Sequence, residues 1–151
     1  TIENSFLTKI DRVKKKLLKA NKHIFIYYYL LGCCYTAFAH ILESQQLIKN
    51  FYINQAIDNL IIAYRLKPMN KRIKLALAEG YLLNGNYEQS LSLFAFLYSI
   101  GFKSSYVLLK MAECHYYLKN YDSVKTILSI LSQHDISGIE YAEVLIYQWI
   151  L

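Results

Sequence analysis

The chain has 151 residues, of which 55% are hydrophobic, with a single Pro and five Gly. This balance excludes an intrinsically disordered chain and favours helices over a turn-rich β fold. The formal charge is +6, but residues 1–24 hold seven Lys or Arg against two acidic residues, and the rest of the chain carries only +1. The sequence therefore indicates one basic N-terminal stretch rather than a basic face across the chain.

The first predicted element, residues 1–22, has the pattern of an amphipathic basic helix. Its apolar residues recur every three or four positions, at Ile2, Phe6, Ile10, Val13 and Leu17, and lysines occupy the other face. This pattern favours a helix that docks its apolar stripe on the next element. Contact with an anionic membrane or a nucleic acid is the alternative. A nucleic acid is not favoured as the partner, because no aromatic residue is interleaved with the lysines.

The next segment, residues 24–42, is apolar and long enough to raise the question of a membrane span. Four tyrosines, Thr36 and His40 make it a poor hydrocarbon span. A repeat pattern described next also assigns its residues to packing positions. We therefore predict a repeat helix here rather than a transmembrane helix.

The middle of the chain contains an internal repeat. Residues 78–97, shifted forward by thirty-four positions, fall on residues 112–131. Each copy holds an apolar-periodic helix, a short polar break and a second apolar-periodic helix. The matched positions include Ala78 with Ala112, Glu79 with Glu113, Asn86 with Asn120, Tyr87 with Tyr121 and Phe94 with Leu128. This pattern predicts successive helix–turn–helix units.

The spacing, and the small and large residues at fixed positions within it, resemble the tetratricopeptide-repeat (TPR) family. Upstream, the first-helix positions are Tyr28, Leu31, Gly32 and Tyr35, and those of the second helix and its end are Ala56, Leu60, Ala63 and Pro68. The resemblance implies an all-α fold, a right-handed α-solenoid of about three units with flanking N- and C-terminal helices. The small residues Gly32, Ala78 and Ala112 are expected to let paired helices approach closely.

The expected organisation is a single TPR domain over residues 1–151. Its parts are the N-terminal helix 1–22, TPR 1 at 25–68, TPR 2 at 71–104, TPR 3 at 105–138, and a capping or partial-repeat helix at 139–151. TPR 1 is elongated, because twenty residues separate Tyr35 from Ala56. Residues 36–49 contain no Gly or Pro, so a long first helix is expected.

The last segment, residues 139–151, has apolar residues on more than one side. A terminal repeat helix normally needs a polar outer face. We therefore expect either further repeats in a longer natural chain, of which this is a fragment, or contact with a second subunit, as in a homo-oligomer.

The resemblance implies a partner-binding groove lined by the first helix of each unit. Its predicted residues are Tyr29, Cys33, Arg72, Leu75, Glu79, Leu82, Tyr106, Leu109, Glu113 and Tyr116. The Lys and Asn residues with which TPR co-chaperones grip a C-terminal carboxylate are absent from these positions. The expected partner is a protein or peptide segment with apolar anchors, and a Lys or Arg facing Glu79 and Glu113.

Signals for catalysis are weak. The four histidines, His23, His40, His115 and His134, are scattered and form no metal-binding motif, and there is no Gly-rich phosphate loop. Three cysteines, two of them adjacent, indicate reduced thiols and a cytoplasmic location. We therefore expect no enzyme activity, no cofactor and no metal.

These patterns predict an adaptor or scaffold subunit of a multiprotein assembly, which binds a partner segment in its concave groove. One alternative is a small TPR chaperone of a secretion system that holds an exported subunit. A second alternative is a peripheral binder of anionic membrane or nucleic acid, acting through the basic N-terminal helix.

Overall fold

The computed structural model describes residues 2–19, 24–42 and 45–133. Over these residues the protein is all-α, with seven helices and no strand. The helices are α1 (Ile2–Leu18), α2 (Ile24–Ile41), α3 (Gln46–Leu66), α4 (Lys71–Leu83), α5 (Tyr87–Ser99), α6 (Ser105–Tyr117) and α7 (Tyr121–Leu131). Within each of the two compact units described next, helices that follow one another in the chain pack together, which is consistent with an α-helical repeat.

The contacts divide the chain into two compact units, Thr1–Asn84 and Gly85–Leu151. Unit 1 holds α1 to α4, and unit 2 holds α5 to α7. In unit 1, α3 packs against α2, α4 packs against both, and α1 packs against α2. In unit 2, α6 packs against α5 and α7.

The α2–α3 hairpin is antiparallel, and its core depends on one glycine. Phe38, near the end of α2, contacts Tyr52, near the start of α3, with ring centroids 4.7 Å apart. Midway along the hairpin, a Cβ built on Gly32 would lie 2.6 Å from Leu60 Cδ2 and 3.2 Å from the Ala56 carbonyl oxygen. The two backbones therefore approach too closely at this point for any side chain on α2, as the small-residue pattern predicts.

Helix α1 is held on unit 1 by aromatic packing. The Phe6 ring stacks on Phe38 with centroids 4.1 Å apart, and Ile10 is buried. The Tyr52 hydroxyl of α3 donates a hydrogen bond of 2.8 Å to the Glu3 carboxylate of α1. Burial, with the neighbouring Glu3, raises the pKa of Tyr52 to about 12. The apolar face of α1 thus lies against α2 and α3, and its basic face is left to solvent.

The spacing of the sequence repeat is also present in the backbone. Helix α4 runs from Lys71 to Leu83 and helix α6 from Ser105 to Tyr117, so both ends are displaced by the same spacing as the matched residues. Each begins at a side-chain cap, Asn70 for α4 and Ser104 for α6, whose oxygen accepts a hydrogen bond from a backbone N–H of the first turn.

The breaks after these two helices repeat as well. Gly85 and Lys119 occupy matched positions, and both adopt a positive φ, 79° and 62°. The left-handed conformation favours glycine, and in the second copy a lysine adopts it.

The prediction of a long first helix over residues 36–49 is wrong. Helix α2 ends at Ile41, and a new helix begins at Gln46. The extra residues lengthen both members of the hairpin, which have 18 and 21 residues against 13 in α4. The chain turns here because the apolar faces of α2 and α3 are buried against each other, as the Phe38–Tyr52 contact illustrates. The predicted helix at 139–151 lies outside the described residues.

Candidate functional site

Four of the predicted groove residues come together on one face of unit 1, formed by α2 and α4. Tyr29 and Cys33 lie one turn apart on α2, and each shifts the pKa of the other. Arg72 and Glu79 of α4 lie close enough to change the pKa of Tyr29. We call these four residues, with Leu75 of α4, the α2–α4 face.

The charged residues of this face shift the pKa of Tyr29 in opposite directions. Burial raises the pKa of the Tyr29 hydroxyl; Cys33 and Glu79 raise it further, and Arg72 lowers it. Burial also raises the pKa of the Cys33 thiol; the neighbouring Tyr29 lowers it, and Glu79 adds to the rise. The hydroxyl and the thiol are therefore neutral at neutral pH, and the thiol is a poor nucleophile. The fixed charges of the face are one cation at the start of α4 and one anion two turns along it.

The apolar members of the predicted groove divide into two groups. Leu75 is half-buried and offers part of its side chain to solvent. Leu82 in unit 1 and Leu109 in unit 2 are buried, at 9% and 2% exposure. These two side chains belong to the cores of their units, and they present almost no surface to a partner.

In unit 2, the predicted residues on α6 are engaged in local contacts. The Glu113 carboxylate forms an ion pair of 2.8 Å with Lys110, one turn earlier on the same helix. The Lys110 ammonium also lies 5.7 Å from the centroid of the Tyr106 ring. The charge of Glu113 is therefore balanced within unit 2, whereas the sequence prediction gave it the same role as Glu79. Lys110 was missed because one-turn spacing to a glutamate is common on helices and carries little information by itself.

A row of four tyrosines in unit 2 was also missed. The rings of Tyr87 and Tyr117 are stacked, with centroids 4.5 Å apart and planes 7° apart. Tyr116 contacts both Tyr117 and Tyr121 edge to face. Tyr87 and Tyr121 are matched positions of the internal repeat, so the periodicity marked them, but only the fold placed α6 between them.

Side chains that bind metals do not cluster among the described residues. No group of three His, Cys, Asp or Glu lies close enough to hold a metal ion in this part of the chain. The Cys114 thiol is buried and donates a hydrogen bond of 3.5 Å to Ser90. Burial lowers the pKa of His115, and its Nδ1 atom is buried without a hydrogen-bond partner. A histidine with a lowered pKa is neutral at pH 7, which suits the partly buried position of His115 on α6.

By length and composition alone, one of the described helices, α2, is apolar enough to cross a membrane. This is weak evidence, because core helices of soluble proteins and signal sequences pass the same test. The side chains of α2 that are buried, among them Leu31, Tyr35 and Phe38, contact protein.

Two comparisons of the sequence with known proteins, one with family models and one with curated proteins, find no match.

Proposed function

We propose that this protein is an interaction module of the TPR type, an adaptor or scaffold subunit that binds a segment of another protein on the α2–α4 face. The observation that carries the proposal is the clustering of Tyr29, Cys33, Arg72 and Glu79 on two helices that are the first members of successive predicted repeats. In the TPR family, which the sequence resembles, the first helices of the repeats line the partner-binding surface. The recurrence of helix boundaries and caps at the spacing of the sequence repeat supports this assignment.

The chemistry of the face favours a partner segment with an apolar anchor and one basic residue. The half-buried Tyr29 and Leu75 supply apolar surface, and the Cys33 thiol adds a neutral, polarisable contact. Glu79 is half-buried, so a Lys or Arg of a partner would meet it in partly desolvated surroundings, where an ion pair is stronger than in water. We assign contact with the basic residue of the partner to Glu79, because it shares the α2–α4 face with Tyr29.

The proposal is tested with charge-reversed variants. The wild-type chain is used to capture partners from a lysate, and the strongest partner is purified and its affinity measured by calorimetry. Glu79→Arg is expected to weaken binding at least tenfold, because it removes an attraction and introduces a repulsion. Glu88→Arg changes the net charge equally at an exposed position in the first turn of α5, so it serves as the matched control.

Two results would contradict the proposal. In one, both variants bind the partner as tightly as the wild type, so the α2–α4 face takes no part. In the other, both weaken binding equally, so only the net charge matters. A Tyr29→Ala variant tests the same face a second time. It should weaken partner binding without changing the salt dependence of the affinity.

A further inference from the structure

Four helix ends meet at one end of unit 1. Phe6, near the start of α1, stacks on Phe38, near the end of α2, so these helices run antiparallel and α1 ends beside the start of α2. The start of α2 adjoins the end of α3, since the Lys67 ammonium lies 5.5 Å from the centroid of the Phe25 ring. Helix α4 begins after a short turn at Asn70. The end of α1, the start of α2, the end of α3 and the start of α4 therefore share one end of the unit.

Exposed basic side chains collect at this end. They are Lys15, Lys16 and Lys19 from α1 and the residue after it, Arg65 and Lys67 from the end of α3 and the turn, and Lys71 from α4. The sequence contains no Asp or Glu in residues 12–19, 24–29 or 59–78, the described segments that supply this end of the unit. We call these six residues the basic end. The view of a single basic N-terminal stretch is thus incomplete, because folding brings a second set of cations to join it.

Exposed aliphatic side chains lie among these cations. Met69, in the turn between α3 and α4, is 77% exposed, Ile24 at the start of α2 is 51% exposed, and Leu66 is 44% exposed. Apolar side chains at this exposure are unfavourable in water and favourable in hydrocarbon. Cations surrounding protruding aliphatic side chains match the surface of an anionic bilayer, with headgroups outside and acyl chains beneath.

We propose that the basic end docks unit 1 on an anionic lipid membrane. Each cation near such a surface gains electrostatic attraction, and Met69, Ile24 and Leu66 reach below the headgroups. Nucleic acid fits less well, because the exposed apolar side chains here are aliphatic and do not stack on bases as aromatic rings do. Phe6 and Ile10 of α1 pack against unit 1, so α1 contributes its charges and does not insert as a separate amphipathic helix.

This inference goes beyond the proposed protein interaction, and vesicle binding tests it directly. The full chain is centrifuged with vesicles of phosphatidylcholine alone and with vesicles that contain about one third phosphatidylserine, at low and at high salt. We expect binding only to the anionic vesicles, and a loss of binding at high salt. Lys16→Glu combined with Lys71→Glu should lower the partition coefficient at least about 25-fold, at about fivefold for each cation removed.

Matched controls separate the basic end from net charge. Lys103→Glu combined with Lys125→Glu makes the same change in net charge at exposed positions of unit 2, and it should lower binding less than about threefold. Met69→Ser should weaken binding to anionic vesicles several-fold. Leu47→Ser, at an 87% exposed position near the start of α3, should leave it unchanged. Circular dichroism is used to check that each variant keeps its helices.

Three outcomes would overturn the proposal. The first is that wild-type chain does not bind anionic vesicles, a result that needs no variant and so does not depend on variant folding. The second is equal weakening by the two charge-reversed pairs. The third is binding to a short DNA duplex under the same conditions while vesicles are ignored, which would assign the basic end to nucleic acid instead.

Discussion

Replacing Gly32 by Ala is expected to destabilise unit 1. The added Cβ would lie 2.6 Å from Leu60 Cδ2 and 3.2 Å from the Ala56 carbonyl oxygen, and the second contact involves backbone that cannot rotate away. Overpacking of this kind costs about 1–3 kcal/mol. Replacing a helical glycine by alanine recovers about 0.5–1 kcal/mol. The expected net loss in the free energy of unfolding is therefore about 1 kcal/mol, within a range of about 0–2.5 kcal/mol.

Gly80→Ala is the matched control on α4. Its Cβ would lie 3.3 Å from Ile57 Cγ1, a side-chain atom, and 3.8 Å from Leu60 Cδ1. A small adjustment removes that contact, so helix propensity is expected to dominate and the change to lie between neutral and about 1 kcal/mol stabilising. Urea denaturation followed by circular dichroism measures both variants, with the slope on denaturant as a check that the same surface is exposed.

A double-mutant cycle identifies the atoms responsible. Leu60→Ala alone should cost about 2–5 kcal/mol, because it leaves a cavity beside α2. In the Leu60→Ala background, Gly32→Ala should be much less harmful than in the wild type, since the added methyl group occupies that cavity. The reasoning is refuted if Gly32→Ala is as stable as Gly80→Ala, or if its effect is the same with and without the Leu60 side chain.

Three further changes test other contacts. Tyr52→Phe should lower the free energy of unfolding by about 1 kcal/mol at neutral pH through loss of the bond to Glu3. The folded-state pKa of Tyr52, about 12, exceeds its ordinary value of 10, so this stabilisation is complete below about pH 10 and is lost as the pH rises towards 12. The free energies of unfolding of wild type and variant are measured by urea denaturation at several pH values. A difference that stays constant between pH 10 and 12 would count against a stabilising bond from Tyr52 to Glu3. Asn70→Ala should cost about 1 kcal/mol because Asn70 caps α4, whereas Asn120→Ala, at an N-cap without a side-chain bond, should change stability little; equal losses in thermal melts would argue against the cap. Burial raises the pKa of all three cysteines, so access to the reagent decides which reacts first. Buried Cys114 should be modified by a thiol reagent more slowly than the half-buried Cys33 and Cys34, and peptide mass spectrometry that finds it modified first would contradict its placement.

The helices and their spacing were largely predictable from sequence. Apolar periodicity of three or four residues marks each helix, and Asn or Ser at positions 70 and 104 marks two of the starts. The internal repeat could be read from matched residues alone, because each helix pair must bury the same kind of face. The turn between α2 and α3 could not, since no Gly or Pro marks it. There, burial of two apolar faces against each other determines where the chain reverses.

The candidate site was predictable only in part. Placement on first helices assigned Tyr29 and Cys33 to α2 and Arg72 and Glu79 to α4, and Arg72 and Glu79 lie close enough to shift the pKa of Tyr29. It did not separate the exposed leucine of the set from the buried ones. Burial depends on which neighbouring helix covers a position, and the sequence does not state that.

The sequence by itself determined that the described residues are helical and that the pattern repeats. These are consequences of local hydrogen bonding and of the periodicity of apolar residues. Only the tertiary structure decided that Glu113 is neutralised by Lys110 and that Arg65, Lys67 and Lys71 share an end of unit 1 with the lysines of α1. The physical reason is that electrostatic interactions depend on distances through space, and antiparallel packing brings residues far apart in the chain within their range.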